Sequence, residues 1–233
     1  MDVLFAGLVE ALRLLTTGDE DTWAITALTL RVSLTATAVA LLLGLPIGVG
    51  IALGRFPGRR ILLAGANTGM GFPPVVVGLF VTVLLWRSGP LGGLGLLYTP
   101  TAMVVAQAGI ATPIVVALVA VAVQQIDPEF RIQMQGLGAS RLQSLLALFA
   151  EARLPLLAAA MAAFGAVVSE VGAAQMVGGN LVGETRVLTT AVVLATSRGQ
   201  FALAIAFGLI LLMIAFAVNL TLTLLQQRRT ADR

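Results

Sequence analysis

Residues 126–155 read IDPEFRIQMQGLGASRLQSLLALFAEARLP, a charged segment between two long and almost uncharged stretches. Asp127 followed by Pro128 predicts a helix start, because aspartate is favoured at the N-cap and proline at the first helical position. The glycines of QGLG break the pattern, and Ser140 predicts the N-cap of a second helix that ends near Pro155. We therefore expect a helix–elbow–helix loop at one membrane face, in a form that suits docking to a partner. An ordinary loop is the alternative.

The composition is that of a polytopic membrane protein. Hydrophobic residues make up 58% of the chain and charged residues 11%, against about 25% charge in soluble domains. All basic residues are arginine, and lysine, histidine and cysteine are absent. These absences exclude disulfides, His or Cys zinc sites, His-dependent catalysis and a Walker A lysine. We expect no metal, no cofactor and no nucleic-acid partner, and any ATP hydrolysis belongs to another chain.

Five apolar segments predict five transmembrane helices, at about 24–53, 61–86, 101–125, 155–170 and 201–225. Pro73 and Pro74 must interrupt or kink the second one. Non-helical backbone at membrane depth is tolerated only inside protein or beside water, so we expect this part to face a partner helix or a pathway. We assign 1–22 to an N-terminal interfacial segment, 23–227 to the transmembrane domain and 228–233 to a cytoplasmic tail.

The arginines are distributed unequally between the two sides of these spans. Nine lie in the first loop, the 126–155 loop and the C-terminal end, and five lie on the opposite side. The excess of positive charge predicts that the first side is cytoplasmic. The N-terminus is then outside, the C-terminus is cytoplasmic, and the 126–155 loop faces the compartment that holds ATP.

The 126–155 loop resembles the coupling loop of type I ABC importer permeases, which carries Glu-Ala-Ala, then Gly, then Leu-Pro. Gly138 and Leu154-Pro155 match that motif, whereas Ile132, Gln133 and Met134 occupy the Glu-Ala-Ala positions. Six segments are similar to the tungstate-type branch, which is related to the molybdate permeases. They are NTGMGFPPVVVGL at 67–79, RSGPLG at 87–92, LGASR at 137–141, EAR at 151–153, SEVGAAQMVGGN at 169–180 and TRVLTT at 185–190.

This resemblance implies an all-α integral membrane protein with the type I ABC importer permease fold, in a prokaryotic inner membrane. It implies a non-catalytic permease subunit for an oxyanion, with tungstate favoured and molybdate or another oxyanion as alternatives. The implied partners are a second permease copy, two cytoplasmic ATPase subunits and an external oxyanion-binding protein. The coupling residues would be Gln133, Gln135, Gly138, Ala139, Ser140 and Arg141.

A different class, a secondary transporter or channel subunit, remains open on the residues alone. Such proteins tend to show inverted repeats and paired intramembrane carboxylates. No convincing internal repeat is present, and Glu170 is the one acid clearly adjacent to an apolar span. An intramembrane enzyme is disfavoured because no nucleophile with a base is available.

Neutral groups are the better candidates for an anion path, because an unpaired carboxylate there would repel the substrate by roughly 4 kcal/mol at 4 Å. We expect Glu170 to be a structural residue, ion-paired with Arg186 or Arg198 or capping the end of the fourth span. The path candidates lie in the two glycine-rich segments, where close packing is the alternative role. They are Asn67, Thr68, Gly69, Gly71, Gly178, Gly179 and Asn180.

Overall fold

The computed structural model describes residues 2–228, which contain α-helices and one 3₁₀ turn but no strand. The predicted tail beyond position 228 lies outside these residues. The helices are α1 (Asp2–Thr17), α2 (Glu20–Leu53), α3 (Arg59–Met70), α4 (Pro74–Leu85), α5 (Pro100–Gln124), α6 (Pro128–Gly136), α7 (Arg141–Glu151), α8 (Arg153–Val168), α9 (Gly172–Gly178), α10 (Leu188–Ser197) and α11 (Phe201–Arg228), with the 3₁₀ turn at Gly92–Leu94.

Three of the described helices, α2, α5 and α11, are each long and apolar enough to cross a membrane. Two further pairs pass the same test but are bent, α3 with α4 by 103° and α7 with α8 by 68°. Counting each bent pair as one span gives up to five spans, the number predicted from the sequence. The predicted fourth span corresponds to α8 alone, because α7 lies within the 126–155 loop. The short helix α10 is apolar but has only 10 residues, too few for the about 30 Å of a hydrocarbon core.

The second span is interrupted at the predicted prolines. Helix α3 ends at Met70, and α4 starts with Pro74 at its first position after the extended residue Pro73. A proline in the first turn leaves no helical hydrogen bond unmade, so the chain restarts a helix there in a new direction. The angle of 103° makes this a break and not a simple kink.

The centre of the molecule is the contact of α2 with α5. Gly44 and Gly48 face α5 so closely that a Cβ on them would lie 2.6 Å and 2.8 Å from Val115 and Val119 side-chain atoms. Small residues let transmembrane helices approach and gain packing contacts. Helix α8 joins this core through buried small residues, Ala159 and Ala163 among them.

The N-terminal helix α1 packs against α11, with Gly7 directly over Ile205. Apolar side chains such as Phe5 and Leu12 are exposed on it beside the Arg13–Glu10 ion pair, and its interfacial position stays a prediction. Asp19 then caps α2 by accepting hydrogen bonds from the Thr22 hydroxyl at 2.6 Å and the Thr22 backbone N–H at 2.9 Å. These two bonds lower the pKa of the Asp19 carboxyl.

Candidate coupling loop and translocation region

The predicted helix start at Asp127 is present. Its carboxylate Oδ1 accepts from the Glu129 backbone N–H at 2.8 Å, and Pro128 occupies the first position of α6. Aspartate thereby satisfies one of the N–H groups that a helix start leaves without a partner. The local sequence alone therefore fixes where α6 begins.

The elbow after α6 is closed by a Schellman motif centred on Gly138. The Gly138 N–H donates to the Gln135 carbonyl at 3.0 Å, and the Ala139 N–H donates to the Met134 carbonyl at 3.0 Å. This pair of bonds requires a left-handed backbone conformation at the residue after the helix. Gly138 has that conformation, with a φ of +79°. No atom would lie within 4 Å of a Cβ here, so the glycine is needed for its conformation and not for a close approach.

Helix α7 starts with a capping box at Ser140, as the sequence predicts. The Ser140 backbone N–H donates to Gln143 Oε1 at 2.8 Å, and the Gln143 N–H donates to Ser140 Oγ at 3.3 Å. Two N–H groups without helical partners are satisfied reciprocally. Together with the Schellman motif, the capping box fixes the directions of both helices on either side of Ala139.

The boundary between α7 and α8 lies at Ala152, three residues before Pro155. Pro155 itself sits inside the first turn of α8. A proline ring clashes with the carbonyl four residues earlier, which here belongs to Glu151, the last residue of α7. The predicted boundary is present, but it lies three residues before Pro155. The reason is that the proline ring excludes a carbonyl of the preceding turn.

The predicted coupling residues are grouped around this elbow and are mostly exposed. Ala139 is half-buried, and Gln133, Gln135, Gly138, Ser140 and Arg141 are exposed. Gln135, Ala139 and Arg141 also line a cavity of about 510 Å³ beside α7, together with Leu148.

Four large apolar side chains on this loop are exposed, and the sequence interpretation did not include them. They are Ile132, Leu137, Leu142 and Leu146, at 68%, 82%, 65% and 59% exposure. Leu142 and Leu146 are four residues apart and therefore share one face of α7. Their occurrence in an otherwise charged loop is the signal that could have identified them. We call these four residues the loop apolar surface.

On the other side of the core, α9 lies against α4. A Cβ on Gly172 would lie 2.6 Å from Val75 Cγ2, and one on Gly78 would lie 2.6 Å from the Ala173 Cα. Val75 and Gly172 are both first-turn residues of their helices. The chain therefore restarts a helix after the break at 71–73 and after the break at 169–171, and the two helix starts are neighbours.

The structure divides the seven path candidates by their surroundings. Asn67, Thr68 and Gly71 are exposed near the end of α3. Gly69 is buried, and a Cβ on it would lie 2.7 Å from the Pro113 Cβ. At Gly69 the structure shows close packing of α3 on α5, and its path role stays a prediction.

The three candidates at the end of α9 contact neighbouring side chains. A Cβ on Gly178 would lie 2.9 Å from the Met103 sulfur, and one on Gly179 would lie 2.8 Å from the Tyr98 ring. Asn180 accepts from Arg186 Nε through its side-chain oxygen at 3.1 Å. Close packing accounts for both glycines, whereas Asn180 presents a polar group bound to an arginine.

Glu170 is buried, and of the two expected arrangements the ion pair with Arg186 or Arg198 is not formed among the described residues, while the carboxylate caps α9 and not the end of the fourth span. Its Oε1 accepts from the Ala173 backbone N–H at 2.7 Å, which caps α9, and its carbonyl accepts from Thr189 Oγ1 at 2.9 Å. Within residues 2–228, neither arginine lies within 4 Å of this carboxylate. A backbone N–H satisfies the carboxylate instead, and sequence spacing does not reveal such a partner.

The family model described as "Binding-protein-dependent transport system inner membrane component" matches residues 44–231. The chain belongs to this family. The matched range includes the 126–155 loop and both broken segments, and it leaves α1 outside.

Individual members of this family match along nearly the whole chain. A tungstate uptake system permease protein TupB of Peptoclostridium acidaminophilum is 37% identical over 227 residues, which cover 97% of this chain and 100% of the relative. A probable anion ABC transporter permease protein of Haloferax volcanii is 40% identical and covers 84% of this chain and 86% of its own.

The fold is that of ABC importer permeases. A chain from inward-facing structures of the MetNI methionine ABC transporter superposes with a TM-score of 0.70, covering 93% of this chain and 97% of its own, at 19% identity. This likeness confirms the predicted all-helical permease fold.

Proposed function

We propose that this chain is the transmembrane subunit of an ABC importer for a tetrahedral oxyanion, and that tungstate is its substrate. The observation that carries the proposal is the 37% identity to a tungstate uptake permease over nearly the full length of both chains. A match of that extent includes the loop and both broken spans. The subunit moves the anion and catalyses no reaction.

The proposed transporter contains two copies of this chain, two cytoplasmic ATPase subunits and an external binding protein. The binding-protein dependence of the family supports the last of these partners. The loop apolar surface supports an ATPase contact, because four exposed large apolar side chains on one loop suit a protein interface. The nine-to-five arginine distribution supports a cytoplasmic position for that loop and an external N-terminus.

In an alternating-access transporter, this loop would transmit the movement of the ATPase subunits to the membrane-spanning helices. Closure of the ATPase subunits on ATP would move α6 and α7 as one body, since the Schellman motif and the capping box fix the elbow between them. The 68° junction with α8 passes that movement to the membrane core. Rigid-body rocking of this kind opens one side of a transporter while closing the other.

The proposed path uses neutral groups beside the broken spans. Asn67, Thr68 and Gly71 are exposed there. Asn67 offers a side-chain amide to an anion, whereas the Thr68 hydroxyl and the Gly71 N–H donate to the Ala64 and Thr68 carbonyls. Glu170 is not proposed as a path residue, since its carboxylate is buried and accepts a hydrogen bond from the N–H of Ala173. An unpaired carboxylate at 4 Å would cost roughly 4 kcal/mol at an effective dielectric of about 20.

Uptake in cells tests the proposal. Cells expressing the whole transporter, with and without this chain, are given tungstate, molybdate or sulfate, and uptake is normalised to protein amount. We expect tungstate uptake that requires this chain and exceeds molybdate uptake. Preferred molybdate uptake would overturn the substrate assignment, and uptake that collapses with the ion gradient while ATP is maintained would identify a secondary transporter.

A further inference from the structure

A second cavity, of about 820 Å³, lies between the first loop and the foot of the 126–155 loop. Its walls come from the end of α2, the start of α3, the end of α5 and the buried side chain of Leu148. We call it the inner cavity. None of the roles proposed above uses it.

Three arginines of one short loop, Arg55, Arg59 and Arg60, line the inner cavity. Arg59 donates from Nε to the Ile51 carbonyl at 2.7 Å and from Nη2 to the Ala52 carbonyl at 3.2 Å. A cation at these carbonyls is favoured by the helix dipole. Arg59 therefore has a structural role, which holds the loop against the end of α2.

Arg55 and Arg60 remain available to a ligand. Both are exposed, and in the described part of the chain neither forms an ion pair. The one acid in the cavity wall is Asp127, whose carboxylate already accepts from the Glu129 N–H. The inner cavity therefore presents an excess of positive charge, in a form that matches phosphate because guanidinium groups bind its oxygens in pairs.

The inner cavity lies where two spans end, which is the level at which lipid headgroups are found. Helix α2 ends at Leu53 and α5 ends at Gln124, so two spans reach their ends at its wall. Beside the arginines, Phe56 and Ile61 also line the cavity and are exposed at 40% and 76%. Basic groups at the end of a span with apolar side chains beside them suit a ligand that has both a charge and an acyl chain.

We propose that the inner cavity binds the phosphate headgroup of an anionic phospholipid between Arg55 and Arg60. The proposal rests on the cytoplasmic orientation of this face given under the proposed function. A free oxyanion has no apolar part that would use Phe56 and Ile61, which favours the lipid. Since Ile126, Asp127 and Leu148 form the opposite wall, a bound headgroup would connect the first loop to the base of the coupling loop.

The test measures lipid binding to the full-length chain by native mass spectrometry after extraction from nanodiscs. The nanodiscs contain phosphatidylcholine with graded phosphatidylglycerol. Near a membrane surface each arginine contributes a roughly constant increment of affinity for anionic lipid, so Arg55→Gln with Arg60→Gln should weaken phosphatidylglycerol binding about 30-fold. Phosphatidylcholine binding should not change, and Arg55→Lys with Arg60→Lys should lose less affinity than the glutamine pair, because it keeps the charge but loses the paired hydrogen bonds.

The matched control is Arg87→Gln with Arg198→Gln, which removes the same charge from two exposed arginines on the opposite side. It should leave the high-affinity phosphatidylglycerol site intact. Equal loss in the control, or less than a threefold loss in the Arg55 and Arg60 double variant, would contradict the proposal. Thermal stabilisation of the detergent-purified chain by inorganic phosphate alone, equal to that by phosphatidylglycerol, would overturn the lipid assignment.

The lipid-binding assay does not depend on transport. A failure of this test therefore leaves the oxyanion assignment untouched, and a chain that imports no tungstate can still pass it.

Discussion

Replacing Gly138 with alanine places a Cβ on a residue whose φ is +79°. The left-handed region costs an L-residue about 1–2 kcal/mol. Because no atom lies within 4 Å of the new Cβ, strain is the expected effect and a clash is not. Gly136→Ala is the matched control, since it adds the same methyl group in open space at the last residue of α6. In a helix, alanine is favoured over glycine by about 0.5–1 kcal/mol, so the two substitutions act in opposite directions.

Hydrogen exchange at the elbow measures this difference directly. The amides at positions 138 and 139 donate to the Gln135 and Met134 carbonyls, and they exchange when the Schellman motif opens. A loss of about 1–2 kcal/mol corresponds to exchange about 5- to 30-fold faster after correction for intrinsic rates. Gly136→Ala should exchange no faster than the parent chain. If the amides of Gly138→Ala exchange at the same rate as in the unsubstituted chain, the claim that the elbow depends on a left-handed glycine is refuted.

Other substitutions test the packing, the cap and the orientation. Gly69→Ala should destabilise the protein by about 1–3 kcal/mol because its Cβ would lie 2.7 Å from the Pro113 Cβ, whereas Gly65→Ala on the same helix has open space and should leave the melting temperature unchanged or raised. Glu170→Ala should cost about 1–3 kcal/mol by leaving a buried N–H unpaired, and Glu170→Gln should cost less because its amide oxygen can still accept; equal melting temperatures for these two variants would argue against the capping role. Ser140→Cys should react with an impermeant thiol reagent only after cells are opened, and labelling of intact cells would reverse the orientation.

The sequence predicted the parts of the fold that depend on neighbouring residues. The Asp127 and Ser140 caps act on N–H groups no more than three positions away, so their residue types suffice. The prolines at 73 and 74 break the second span because each lacks its own N–H. The elbow at Gly138 follows from local geometry in the same way.

Partners on other helices could not be predicted. Gly69 and Gly178 look equally suited to a path or to packing until Pro113 and Met103 are placed beside them. Glu170 was expected either to pair with an arginine, since a buried charge requires compensation, or to cap the end of the fourth span. The N–H of Ala173 becomes available only because the chain breaks and restarts as α9.

ATP hydrolysis by the assembled transporter in proteoliposomes, measured against tungstate concentration with and without the binding protein, tests the central claim most directly. The proposed function predicts that tungstate stimulates hydrolysis only when the binding protein is present, and that tungstate accumulates inside the vesicles in step with hydrolysis. Hydrolysis that does not respond to tungstate, or tungstate entry without ATP, would contradict the assignment of this chain as the permease of a tungstate importer.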